Sequence, residues 1–128
     1  MDVTRISSGA PWEDKIGYSR IVRAGNLVEF NGSVAVRDGK VIGLNDPYEQ
    51  AKCIFEIMDE YLQKVGAAMD DVIKCRVYLT DKSQWDEVAR AYSERFKNIK
   101  PCLTMIIIKE LVTPEYLVEI EATAVVDA

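Results

Sequence analysis

The stretch that decides the fold is residues 100–126, which read KPCLTMIIIKELVTPEYLVEIEATAVV. Residues 103–108 form a nearly continuous apolar run, which predicts a strand that is buried on both faces. Residues 116–126 alternate instead, so that Glu119 and Glu121 share one face of a second strand whose other face is apolar. Two carboxylates on one face of so apolar a strand indicate that this face either meets water or lines a pocket.

The composition is that of one globular domain, and we expect residues 1–128 to fold around a single core. Apolar residues make up 48% of the chain and charged residues 29%, which is ordinary for a soluble protein. No run reaches the ~20 apolar residues that a membrane span requires, and the N-terminus lacks the pattern of a signal peptide. We therefore expect a cytoplasmic protein without a membrane partner. The three cysteines Cys53, Cys75 and Cys102 form no CxxC pair, which predicts free thiols in a reducing compartment.

Two features of the composition exclude whole classes of chemistry. The chain contains no histidine, which rules out a Ser-His-Asp or Cys-His triad within it and removes the commonest transition-metal ligand. We therefore expect neither a metal nor a cofactor. The formal charge of −5, without a basic block, argues against binding to nucleic acid and so against a ribonuclease.

The first third of the chain predicts strands joined by tight turns. Residues 1–6 suit a short edge strand, and residues 18–36 suit two strands that turn at Gly25-Asn26. Gly32 interrupts the second of these strands, which indicates a bulge or the close approach of another group. A further short hairpin is expected in residues 34–41.

Two helices follow, each with a capping signal and one apolar stripe. The first is predicted over residues 46–65, where Asp46-Pro47 supplies an N-cap and a suitable first helical residue. The second is predicted over residues 83–96, with Ser83 as its cap. Its apolar stripe consists of Trp85, Val88, Ala89, Tyr92 and Phe96. Stripes on one side only predict helices that cover a sheet.

A strand over residues 69–80 separates the helices, and the order of elements defines the fold class. Strand–helix–strand passages require parallel neighbours, whereas the hairpins require antiparallel ones. The sum is an α+β fold in which two helices cover one face of a mixed sheet. Because the other face remains uncovered and the strands are rich in β-branched residues, we expect it to be buried in a closed oligomer.

Short motifs spread over almost the whole chain, in this order and spacing, resemble the RidA family, also called the YjgF or endoribonuclease L-PSP family. The motifs are Ile16-Gly17-Tyr18-Ser19, Gly25-Asn26, Phe30-Asn31-Gly32, residues 46–51 at the start of the first helix, Asp70-Asp71-Val72-Ile73-Lys74, Val77-Tyr78-Leu79-Thr80-Asp81, residues 92–96, Pro101 and Leu117-Val118-Glu119-Ile120-Glu121-Ala122. The resemblance implies a chorismate-mutase-like α+β fold and a homotrimer in which three sheets wrap into a central β-barrel. It also implies ligand pockets in the clefts between subunits.

The resemblance further implies a hydrolase with deaminase-like chemistry. The best known members hydrolyse reactive enamines and imines, such as 2-aminoacrylate, to keto acids and ammonia, and an arginine in a Pro-x-Arg-Ser/Thr pattern binds the substrate carboxylate. Carried over residue by residue, the resemblance implies Glu119 as the catalytic residue. The implied substrate-binding residues are Tyr18, Asn31, Gly32, Tyr92, Leu103 and Thr104.

The sequence departs from the family at the position of that arginine, where it has Leu103. A guanidinium holds a carboxylate through two charge-assisted hydrogen bonds, whereas leucine offers none and makes an unpaired carboxylate costly. Candidate replacement cations are Arg20, Arg90 and Lys109, each of which would otherwise be a solvated surface charge. Cys102 would be a nucleophile if a cation activated it, and otherwise a small residue packed at the start of a strand.

Two functions fit this sequence. The first is a Rid-type hydrolase that acts on an imine, enamine or other small substrate but not efficiently on 2-aminoacrylate. The alternative is a non-catalytic trimer that binds a small molecule as a sensor or partner module.

Overall fold

The computed structural model describes residues 1–127 as a six-stranded mixed sheet with two helices on one face. The strands are β1 (Val3–Ile6), β2 (Ile21–Ala24), β3 (Leu27–Ser33), β4 (Val36–Arg37), β5 (Lys40–Val41), β6 (Val72–Leu79), β7 (Cys102–Ile107) and β8 (Val118–Val125). The helices are α1 (Pro47–Lys64) and α2 (Trp85–Phe96). The main sheet has the order β1-β2-β3-β8-β6-β7, and β4 and β5 form a separate hairpin. The expected α+β class and both hairpins are confirmed.

The pairing of the strands follows from the connections between them. β6 and β7 are parallel, as a connection through α2 requires, and β8 is antiparallel to both β3 and β6. The two strands of the C-terminal stretch are therefore not neighbours, because β6 lies between β7 and β8.

Helix α1 begins where its capping signal predicts. The side chain of Asp46 accepts a hydrogen bond from the backbone N–H of Glu49 at 3.1 Å, and Pro47 is the first helical residue. The helix ends at Lys64, and Gly66 follows with a φ of +77°, a conformation that glycine adopts without strain.

Helix α2 begins two residues later than Ser83, the predicted cap. The carboxylate of Asp81 accepts the N–H of Ser83 at 2.8 Å and caps a 3-10 turn instead. The Gln84 side chain accepts the N–H of Asp81 at 3.1 Å and completes the cap. Because this turn takes up the first residues, Trp85 opens the helix and is 39% exposed rather than part of the apolar stripe.

The core lies between the helices and one face of the sheet. Along β8, Val118, Ile120, Ala122 and Ala124 are buried, whereas Glu119, Glu121 and Thr123 are half-buried on the opposite face. This confirms the predicted alternation. The buried side chain of Gln50 joins α1 to the start of β8: its amide nitrogen donates to the Glu115 carbonyl at 2.9 Å, and its oxygen accepts the Leu117 N–H at 3.0 Å.

Strand β7 is the edge of the sheet, and the prediction that it is buried on both faces is wrong for the single chain. Leu103 is 40% exposed, Ile106 43% and Ile107 47%. A continuous apolar run is typical of a buried strand, but the run by itself does not distinguish a central strand from an edge strand.

The sheet face opposite the helices is polar, contrary to the expected β-branched surface. It carries Lys74, Arg76, Tyr78, Glu119, Glu121 and Thr123, all of them half-buried. The period of two along each strand places the β-branched residues under the helices and leaves the polar ones on this open face. Within residues 1–127, neither helix combines the length and apolar character that a membrane crossing needs.

Candidate functional site

The centre of the candidate site is a bulge in β3 against which Glu119 lies. β3 pairs with β8 at Phe30–Ala122 and again at Ser33–Ile120, so β3 holds one extra residue between the two points. A Cβ atom at Gly32 would lie only 2.8 Å from Oε2 of Glu119, so any larger residue would displace the carboxylate. The bulge and the close approach expected at Gly32 are both present, and the approaching group is Glu119.

The surroundings of Glu119 stabilise its charged form less well than water does. The side chain is half-buried on the open face of β8. Burial raises the pKa of its carboxyl, and the charge of Glu121 on the same face raises it further, while Arg20 acts in the opposite direction. Glu119 therefore retains its proton to a higher pH than an ordinary glutamate and is suited to exchange protons with a bound molecule.

Arg20 is neither a solvated surface charge nor a free cation for a substrate. Its side chain is only 13% exposed. One guanidinium nitrogen donates to the carbonyl of Gly32 at 3.0 Å and to Oγ of Ser33 at 2.7 Å, and the other donates to Oε2 of Glu13 at 3.0 Å. The guanidinium therefore hydrogen-bonds to protein groups of the bulge and of the preceding loop.

Glu13 is the member of this site that the sequence did not reveal. It is 2% exposed and begins a short π-helical turn, Glu13–Gly17, just before Tyr18. Its carboxylate accepts hydrogen bonds from Ser7 Oγ at 2.7 Å, from Ser8 N at 2.9 Å and from Ser8 Oγ. Burial alone would raise its pKa, but these bonds and Arg20 outweigh burial and lower it.

The sequence around Glu13 predicts only a polar loop. The neighbouring Trp12 is 61% exposed. The loop buries a carboxylate instead of its aromatic side chain, because the serines and the arginine together satisfy that charge.

An open cavity of about 600 Å³ lies beside the bulge. Tyr18 and Asn31 line it, together with Arg5, Asp14 and Glu29. Its volume suits a small metabolite. Glu119 is not among the lining residues, but Gly32, which it contacts, directly follows Asn31. Of the predicted site residues, Tyr18 and Asn31 thus line one cavity, and Gly32 and Glu119 approach each other at the adjoining bulge.

Leu103 and Thr104 lie elsewhere in the chain. Both are on β7, which is three strands from β3 and therefore about 14 Å away at a spacing of ~4.8 Å. Thr104 Oγ1 accepts a hydrogen bond from Lys74 Nζ at 2.6 Å on the open face. Leu103 pairs with the buried Cys75 and so lies on the helix side of the sheet.

Tyr92 belongs to the helix layer rather than to the cavity. Its ring centroid lies 4.9 Å from that of Phe96 and 6.0 Å from that of Phe55. Its hydroxyl is buried and has no hydrogen-bond partner within residues 1–127. Burial raises the pKa of Tyr92 to about 12, with smaller contributions from Cys75 and Cys102.

The remaining candidate cations do not reach Glu119. Arg90 donates to Glu87 at 2.8 Å on the surface of α2, and its guanidinium lies 3.6 Å from the ring centre of Tyr48. Lys109 follows the end of β7 and lines a separate pocket of about 290 Å³. Cys102 is an exposed free thiol at the start of β7. Residues 1–127 contain no cluster of acidic or cysteine side chains arranged to hold a metal ion.

Comparisons with known proteins place the chain in a family. The sequence model described as Endoribonuclease L-PSP matches residues 11–126. A crystal structure of a YjgF/YER057c/UK114 family member from Mycobacterium tuberculosis is 36% identical and has a TM-score of 0.88 over 98% of this chain and 100% of that one. An uncharacterized protein of Streptomyces coelicolor is 34% identical over 122 residues, which are 95% of this chain and 91% of that protein. A RutC family protein of Pyrococcus abyssi is 30% identical over 109 residues, 84% of each chain.

These matches agree with the fold. The chain belongs to the endoribonuclease L-PSP family, also known as the RidA or YjgF family. The resemblance drawn from the short motifs is thereby confirmed. Yeast Mmf1, at 22% identity and a TM-score of 0.83, has the same fold.

Proposed function

We propose that the protein binds a small metabolite in a cleft between the subunits of a homotrimer and hydrolyses it. The substrate is an imine or enamine with less negative charge than 2-aminoacrylate. The observation that carries this proposal is the half-buried Glu119, whose carboxylate lies against Gly32 in the bulge, next in sequence to Asn31 in the wall of a cavity of suitable size. The free thiols support a cytoplasmic location.

In the proposed reaction Glu119 transfers protons between water and the substrate. Its carboxylate removes a proton from a water molecule while the water oxygen bonds to the imine carbon. The protonated carboxyl then gives the proton to the nitrogen, which completes a carbinolamine. Glu119 next removes the proton of the new hydroxyl group and delivers it to the nitrogen while the carbon–nitrogen bond breaks, so that a carbonyl compound and ammonia leave and the carboxylate is regenerated. A general base of this kind contributes about 100- to 10,000-fold to a rate.

Two features support an assembly in which one subunit completes the site of another. Tyr18, Asn31, Gly32 and Glu119 lie on one side of the sheet, whereas Leu103 and Thr104 lie on the edge strand β7. That edge exposes apolar side chains that no part of residues 1–127 covers. We propose that β7 of a second copy lies next to the cavity of the first.

The assembly is tested by the mass of the protein in solution. A trimer of this 14.4 kDa chain is expected to sediment as a single species at three times that mass. Ile106→Glu, on the exposed edge, is expected to dissociate it because a charge there would be buried without a partner. Val112→Glu, in a loop where the residue is 89% exposed, is the matched control and leaves the mass unchanged. A wild-type monomer contradicts the proposal.

The reaction is tested by measuring ammonia release from a panel of freshly generated imines across a range of pH. We expect turnover of substrates without a carboxylate to exceed that of 2-aminoacrylate, because Leu103 offers no cation. Since the active base is deprotonated Glu119, whose pKa is raised, the rate should climb with pH to a plateau, with its midpoint above the usual ~4.3 of a glutamate.

The result that contradicts this substrate assignment is a rate on 2-aminoacrylate equal to that of an arginine-bearing family member assayed in parallel. The absence of any turnover, with binding of the same compounds retained, would support the non-catalytic alternative instead. Leu103 is the observation that keeps this alternative open, because it removes the family's carboxylate anchor.

A further inference from the structure

The ion pair between Glu13 and Arg20 is almost completely enclosed by protein. The side chain of Glu13 is 1% exposed and that of Arg20 is 13% exposed. Enclosing two charges is costly unless further hydrogen bonds satisfy them. Here Ser7 and Ser8 donate to the carboxylate, while Gly32 and Ser33 accept from the guanidinium. An ion pair that is hydrogen-bonded in this way joins the segments that carry it into one unit.

The segments it joins are the two that carry the site. Glu13 opens the turn that leads directly into Tyr18, and the acceptors Gly32 and Ser33 form the bulge in β3. The backbone of Arg20 also lies between both segments. Its N–H donates to the carbonyl of Ile6 at 2.9 Å, and its carbonyl accepts the N–H of Asn31 at 2.9 Å.

The guanidinium of Arg20 also opposes the raised pKa of Glu119. The other charged or titratable groups that face Glu119 are Glu121 on its own strand and Tyr78, its pairing partner on β6. Arg76 lies 4.0 Å from the carboxylate of Glu121 and forms an ion pair with that residue. Arg20, which is paired with Glu13 of the N-terminal loop, is therefore the cation that lowers the pKa of Glu119.

We propose that the Glu13–Arg20 ion pair is the positioning element of this site: it ties the loop bearing Tyr18 to the glycine bulge and sets the charge that Glu119 faces. Arg20 acts through these groups and does not contact the substrate. The inference rests on the proposed function only in taking Glu119 as the site carboxylate.

The test requires no substrate. The protein is labelled with ¹³C at the glutamate side-chain carboxyls, the Glu119 signal is assigned by its absence in Glu119→Gln, and its titration is followed by NMR. In Arg20→Gln the titration midpoint of Glu119 is expected to rise, because an opposing positive charge has been removed. Amide exchange is expected to accelerate about tenfold or more in both residues 7–18 and residues 31–33.

Two further variants separate position from charge. Arg20→Lys keeps one positive charge but not the planar fork, so the midpoint should remain near the wild-type value while exchange accelerates. Should Arg20→Gln fail to fold, Arg20→Lys alone tests the proposal through its accelerated exchange. Arg23→Gln is the matched control, because Arg23 donates to the carbonyls of Gly25 and Val65 on the helix side. It should lower thermal stability without moving the Glu119 midpoint.

Three results would contradict the proposal. The proposal is overturned if Arg20→Gln leaves both the Glu119 midpoint and the exchange of the two segments unchanged. It is also overturned if Arg20→Lys leaves the exchange of both segments unchanged, or if Arg23→Gln moves the midpoint as far as Arg20→Gln does. Because none of these readouts depends on turnover, a failure to find an imine substrate would contradict the proposed reaction and leave this test intact.

Discussion

Glu119→Gln is expected to lower the rate of imine hydrolysis by about 100- to 10,000-fold while the fold and ligand binding persist. Glutamine has the same shape and keeps a carbonyl oxygen beside Gly32, so the bulge has no reason to rearrange. What it loses is the ability to accept a proton from water at the pH of the reaction. Steady-state ammonia release measures the loss, and circular dichroism confirms the fold.

Glu121→Gln is the matched control for this prediction. Glu121 lies two residues further along the same face, where it accepts a hydrogen bond from the Tyr78 hydroxyl at 2.5 Å. Its removal should leave most of the turnover, and it should move the pH midpoint downward because a like charge near Glu119 disappears. Equal losses in both variants would mean that neither carboxylate acts as the specific base.

Leu103→Arg is expected to raise kcat/KM for 2-aminoacrylate by about 10- to 100-fold. The gain corresponds to the ~1.5–3 kcal/mol of a hydrogen bond to a charged group. Leu103 is 40% exposed on an edge strand, so an arginine there displaces no core atom. The guanidinium would supply the two donors that a substrate carboxylate lacks in the natural sequence.

Leu103→Gln separates the charge of the new side chain from its polarity. It removes the apolar group at the same position without adding a cation, so its kcat/KM should stay close to that of the wild type. If Leu103→Arg and Leu103→Gln behaved alike, position 103 would not determine substrate charge in this protein. Neutral imines should show the opposite trend, with a lower kcat/KM in the arginine variant.

Some elements were predictable because their causes lie within a few residues of each other. The cap at Asp46 and the alternation along β8 depend on contacts or periods of four residues or fewer. The late start of α2 shows the limit of such reasoning. Asp81 and Ser83 are both good caps, and the hydrogen bonds of Gln84 decided between them.

Only some residues of the candidate site could be predicted from the sequence. Tyr18, Asn31, Gly32 and Glu119 were expected from the family's motifs. The structure places the first two on one cavity and the last two in close approach, and their role in a site stays a prediction. Glu13 was missed, because its burial depends on an arginine seven residues away and on a bulge further along the chain. Leu103 and Thr104 remain apart from the others within one subunit.

By itself the sequence determined the family, the types of the elements, the absence of histidine and the leucine at position 103. These depend on residue identity and on local periodicity, which are readable without coordinates. Only the tertiary structure decided that β6 separates β7 from β8, that β7 is an exposed edge and that Arg20 is enclosed with Glu13. The physical reason is that strand neighbours and buried ion pairs arise between segments far apart in the chain, and no local pattern records which distant partner a segment meets.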